Sequence, residues 1–107
     1  MPQGPLFTVQ GTQQGTNSAL NVTAATLVKG STGRLSTICI NTVGSAGTLN
    51  VYDSATTAGA SASNLMYSLA YNAATAVAGA VFFLDIPFQN GLVVTPATGQ
   101  VVSVAFS

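Results

Sequence analysis

The chain has 107 residues, enough for one domain with a real core and too few for two. Only Lys29, Arg34, Asp53 and Asp85 are charged at neutral pH, and they sum to zero; this excludes nucleic-acid binding by phosphate neutralisation and a basic membrane-surface helix. Histidine is absent, which excludes Ser-His and Cys-His nucleophile pairs and imidazole zinc sites, so we expect a non-enzymatic protein with no cofactor and no metal.

A compact domain of this mass exposes roughly 5,500 Å², and a freely soluble one usually covers about a quarter of its surface residues with charge. Four charges cannot do that, so Thr, Ser, Asn and Gln must hydrate the surface, and nothing keeps neighbouring molecules apart by repulsion. The natural setting for such a chain is a large assembly. Cys39 is the single cysteine, which rules out an internal disulfide. Between Ile38 and Ile40 it reads as a small core residue. The opening residues have neither the basic nor the long apolar stretch of a secretory signal, and the longest apolar run, residues 76–84, is too short to span a bilayer.

Residues 1–18 mix Pro, Gly and Gln with one apolar patch at Leu6, Phe7 and Val9. They read as an extended arm, disordered or laid over a neighbouring subunit with Leu6 and Phe7 as anchors. Residues 19–107 read as a single all-β domain, an antiparallel, jelly-roll-like sandwich of about seven strands: 20–28, 34–42, 48–53, 65–70, 81–86, 92–95 and 100–106. Residues 35–41 and 48–53, rich in Thr, Val and Ile around the Gly44-Ser45-Ala46-Gly47 break, are expected to form a hairpin. A second hairpin is expected around Pro96-Ala97-Thr98-Gly99. Alternation places Leu49 with Val51, and Leu65 with Tyr67 and Leu69, on single faces. The Ala-rich stretches 54–63 and 72–80 carry too much Thr, Ser and Gly for helices, although the first has room for a helical turn.

Arg34-Leu35 with Ile38-Cys39-Ile40-Asn41-Thr42, then Gly47-Thr48-Leu49-Asn50-Val51-Tyr52-Asp53, an Ala/Thr/Gly loop, Val81-Phe82-Phe83, and Asn90-Gly91-Leu92-Val93-Val94-Thr95 leading into a terminal Val/Ser/Val strand form a recognisable sequence of phrases. Over about residues 30–107 it resembles the small all-β virion proteins of tailed bacteriophages, which are head decoration or cement proteins and fibre modules. The resemblance implies a jelly-roll-like fold, a trimer or other symmetric homo-oligomer, the major capsid protein as partner, and a place on the capsid surface of the virion. The arm matches no motif of that family.

Individual residues carry weaker signals. Asp53 and Asp85 form the carboxylate pair that glycoside hydrolysis requires, but Asp53 ends a strand as a turn residue and Asp85 lies in an apolar strand where, if buried, it needs a cation. A salt bridge from Arg34 to Asp85 or Asp53 is expected. Lys29-Gly30-Ser31-Thr32-Gly33-Arg34 precedes a strand and not a helix, and reads as a surface turn instead of an anion loop. Phe82 and Phe83 are adjacent, so one must face away from the core. With Leu6, Phe7, Arg34 and Asp85 they make up the expected intersubunit contact set. The alternative function is a receptor- or carbohydrate-binding module of a tail fibre or spike, which exposed Tyr52, Tyr67 or Tyr71 clustered in one groove with Asn or Asp nearby would favour. A surface-adsorbing protein would need regular Thr rows, which the sequence lacks.

Overall fold

The computed structural model describes residues 17–70, 72 and 77–107. The described residues form eight strands: β1 (Asn17–Val22), β2 (Thr26–Lys29), β3 (Gly33–Thr42), β4 (Thr48–Tyr52), β5 (Leu65–Ala70), β6 (Val81–Phe88), β7 (Leu92–Thr95) and β8 (Val101–Phe106). Among the described residues a 3₁₀ turn at Ala62–Asn64 precedes β5, close to where the sequence leaves room for one. Asn17 and Ser18 belong to β1 instead of the arm, and the remainder of the arm, with Leu6 and Phe7, lies outside the described residues.

The strands divide into two four-stranded antiparallel sheets ordered β1-β8-β3-β6 and β2-β7-β4-β5. The pairs β1·β8, β2·β7, β3·β6 and β4·β5 are those of one long ribbon folded back on itself and rolled up, with β3·β8 and β4·β7 as the extra seams. That order is a jelly roll.

Both expected hairpins are absent. β3 and β4 lie in different sheets, as do β7 and β8, and among the described strands β4·β5 is the one sequential pair that hydrogen-bonds. The two Gly-containing breaks are instead crossovers that run side by side. Ala46 bridges to Thr98, Ser45 N–H donates to the Thr98 carbonyl at 2.9 Å, and Thr98 N–H donates to the Ala46 carbonyl at 3.0 Å. Gly99 supplies the positive φ, 73°, expected at the second break. Residues 20–28 are two strands and not one, because the chain leaves the first sheet after Val22 and enters the second at Thr26.

The core fills the space between the sheets with Leu35, Ile38, Ile40, Val102, Val104 and Val22 from one side and Leu49, Val51, Leu92 and Val94 from the other, with Phe88 also enclosed. Each such side chain contributes about 1.5–3 kcal/mol through removal from water. Leu49 and Val51 share the inward face as expected, and Tyr67 and Leu69, their register partners on β5, pack on the same core. Leu65 leaves that face and is exposed, because β5 carries an extra residue opposite Val51–Tyr52.

Candidate interaction surface

All four edge strands depart from regular pairing, since β1, β2, β5 and β6 each carry one residue more than the partner strand over a short stretch. In the first sheet the bulges hold Asn21 at φ 54° and Asp85 at φ 52°, a left-handed conformation that Asn and Asp tolerate better than most residues. Such bulges twist an edge away from further strand pairing. Exposed surface is therefore offered by faces more than by edges.

β6 sets the composition of the outer face of the first sheet. Phe82 stands opposite the buried Ile38 and packs on the core, so Phe83, opposite Thr37, points outward and is 84% exposed. Two rows cross this face: Val81, Cys39 and Ser103, and then Phe83, Thr37, Ala105 and Ser18. Leu20, 70% exposed, adds an apolar residue at the opposite edge. Toward β1 the face turns polar: the Asn41 amide donates to Ser103 Oγ at 2.7 Å and to Asn21 Oδ1 at 3.3 Å, and the Asn21 N–H donates to Ser103 Oγ at 3.1 Å.

Three expectations change here. Cys39 is not a core residue: Ile38 and Ile40 are both fully buried, so the residue between them must face out, and it is partly exposed. Phe82 packs against the core and leaves Phe83 as the exposed aromatic residue of the pair. Asp85 is not buried, because the bulge turns it outward, where its Oδ1 accepts from Arg34 Nη1 at 2.9 Å with side chains 55% and 41% exposed respectively. The expected Arg34–Asp85 pair is thus present within the chain, at the rim of the face. Arg34 Nη1 also donates to the Asp85 carbonyl at 3.3 Å.

The links after β2, β4 and β6 meet at one end of the sandwich. There the Asp53 carboxylate accepts three backbone N–H groups, from Gln89 at 2.9 Å, Asn90 at 2.7 Å and Gly91 at 3.3 Å. Burial alone would raise the carboxyl pKa, but these three donors outweigh it and hold the group below the ordinary Asp value. Gly91 lies so close to the neighbouring links that a Cβ there would sit 2.3 Å from the Ser54 carbonyl oxygen and 2.7 Å from that of Lys29. Asp53 is therefore occupied by the turn and Asp85 by Arg34, each committed to a structural partner. No group of three or more His, Cys, Asp and Glu side chains occurs among the described residues.

Of the three tyrosines, Tyr67 packs on the core, Tyr52 is half-buried on β4, and Tyr71 lies outside the described residues. The sequence could have revealed the outward Cys39 through the phase set by Ile38 and Ile40. It held no signal for the bulge that exposes Asp85 beyond an acid set in an apolar strand. Comparison with family models, curated proteins and solved structures yields no match for the chain.

Proposed function

We propose that this chain is a non-enzymatic structural protein of a tailed-phage virion, a head decoration or cement protein that forms a symmetric oligomer, expected to be a trimer, and seats on the major capsid protein. The observation that carries the reading is Phe83, a large aromatic ring left 84% exposed on the outer face of a jelly roll that has almost no charge to keep it apart from other molecules. The jelly roll adds support by analogy, since viral capsid domains use it, though lectins and cupins do too. The resemblance of residues 30–107 points the same way.

Bulged edges resist strand addition, so attachment works by burying faces: Phe83, Val81 and Leu20 would be covered by a second copy or by the shell. Contacts of this kind depend little on ionic strength. Binding to purified shells is expected to persist across a salt series, with a defined oligomer by light scattering. Release at moderate salt, or a concentrated monomer with no affinity for any particle, overturns the proposal. The sugar-binding alternative loses support because Tyr67 packs partly against the core, which leaves less of its ring for a ligand groove.

A further inference from the structure

Asn90 is the one asparagine in the sequence followed by glycine. An Asn-Gly pair is chemically vulnerable because the next residue's backbone nitrogen can reach the side-chain amide without hindrance from a Cβ. At most positions a chain could remove this hazard by replacing the glycine. Here it cannot: a Cβ on Gly91 would overlap the Ser54 and Lys29 carbonyl oxygens and lie 3.0 Å from Ala55 Cα. The packing of three links thus dictates the residue that endangers its neighbour. Asn90 itself is exposed, and no hydrogen bond engages its side chain among the described residues.

The same turn holds a restraint. The would-be nucleophile, the Gly91 nitrogen, is buried and donates its proton to Asp53 Oδ1, which also holds the Asn90 N–H at 2.7 Å. Attack requires the Gly91 nitrogen to lose that proton beside a carboxylate anion and to swing toward Asn90 Cγ. The anion disfavours the first requirement, and the backbone grip disfavours the second.

We infer that Asn90 is a site of spontaneous deamidation and that the Asp53 carboxylate guards it, so that conversion proceeds through local opening of the turn between β6 and β7. In the reaction the deprotonated Gly91 nitrogen forms a bond to Asn90 Cγ, the bond from Cγ to the side-chain nitrogen breaks, and the amide group leaves as ammonia with a proton from solvent. Water then opens the succinimide at either carbonyl and gives aspartate or isoaspartate at position 90. Either product places a second carboxylate beside Asp53, and isoaspartate also lengthens the backbone between the amides that Asp53 binds, so each conversion loosens the turn.

The test is peptide mapping with isoaspartate detection on full-length protein aged at mildly alkaline pH, folded and in urea, beside Asp53→Asn and Asn90→Gln. Expected are product at position 90 that forms about tenfold or more slowly in the folded protein than in urea, faster formation in folded Asp53→Asn than in wild type, and none in Asn90→Gln. Equal rates folded and in urea, no product at position 90 in urea, or folded Asp53→Asn converting no faster than wild type would each overturn the inference. Should Asp53→Asn lose its fold by circular dichroism, hydrogen exchange of the wild-type Gly91 amide decides. Protection supports the guard, and exchange at the unprotected rate removes it.

Discussion

The end of the sandwich around Asp53 and the outer face around Phe83 solve opposite problems with the same limited set of residues. At the end, one carboxylate satisfies three backbone N–H groups, and Gly91 leaves no room for a methyl group between the links. At the face, a phenyl ring stands in solvent, and the nearby carboxylate shares an exposed ion pair. With so few charges the chain uses one Asp where loss would open a turn and the other where loss changes little. Substitutions at the end should therefore be felt in folding, and substitutions at the face in assembly.

The strongest way to break that contrast is Gly91→Ala, since the added carbon would meet backbone atoms that cannot swing aside. We expect a loss of about 3 kcal/mol or more, read from the urea midpoint; near-neutral behaviour would mean the links are not packed as described. Asp53→Ala comes next, at about 2 kcal/mol, because it strands three donors that a charged acceptor had satisfied. This residue also sets a pH dependence. Its carboxyl is held below the ordinary value in the fold, so its contribution is complete above the unfolded pKa of about 4 and fades as pH falls through the folded value. Denaturation measured between about pH 6 and pH 2 should show a steeper acid-side decline in wild type than in Asp53→Ala, and parallel curves would remove the role given to the three N–H donors.

The all-β class and the sandwich were legible because Thr, Val and Ile cluster between Gly, Pro and Asn breaks, and inward rows such as Leu49 with Val51 repeat every second residue. Pairing was not. The breaks at Gly44–Gly47 and Pro96–Gly99 signal that the chain bends, but a bend reads the same whether the next strand returns beside the last one or crosses to the opposite sheet. In a sandwich both outcomes present one apolar row to one core, so periodicity cannot choose between them. The division of residues 20–28 into β1 and β2 is not legible because Thr23-Ala24-Ala25 contains neither Gly nor Pro. Among the residues expected to make contacts, the opposed faces of Phe82 and Phe83 followed from adjacency alone, while the scarcity of charge narrowed the partner of Arg34 to Asp85 or Asp53 and the fold selects Asp85. Cys39 shows the reverse: the phase of Ile38 and Ile40 pointed outward, and the usual burial of cysteine was the weaker guide.

Smaller effects sharpen the contrast at the rim. Asp85 occupies the left-handed region, which costs a residue with a Cβ about 1 kcal/mol relative to glycine, while its exposed ion pair contributes under about 0.5 kcal/mol. Asp85→Gly loses the pair but relaxes the backbone, so its stability should stay within about 0.5 kcal/mol of wild type. Asp85→Ala loses the pair and keeps the strain, and should fall about 1 kcal/mol below Asp85→Gly. Equal stabilities for the two variants would mean the bulge does not hold residue 85 at positive φ.

The smallest effect on folding carries the most functional information. Phe83 has little packing to lose, so Phe83→Ala should leave the urea midpoint within about 0.5 kcal/mol of wild type. Its neighbour Phe82 packs on the core, and Phe82→Ala should lower that midpoint even though the two positions share residue type and strand. If the face is the contact surface, Phe83→Ala should nonetheless reduce oligomer formation or shell attachment in a sedimentation assay, in protein whose circular dichroism is unchanged. An intact oligomer and undiminished attachment would leave an exposed aromatic ring without a purpose in the proposed role, and would move the search for the contact surface to the second sheet, where Leu27 and Leu65 are the exposed apolar residues.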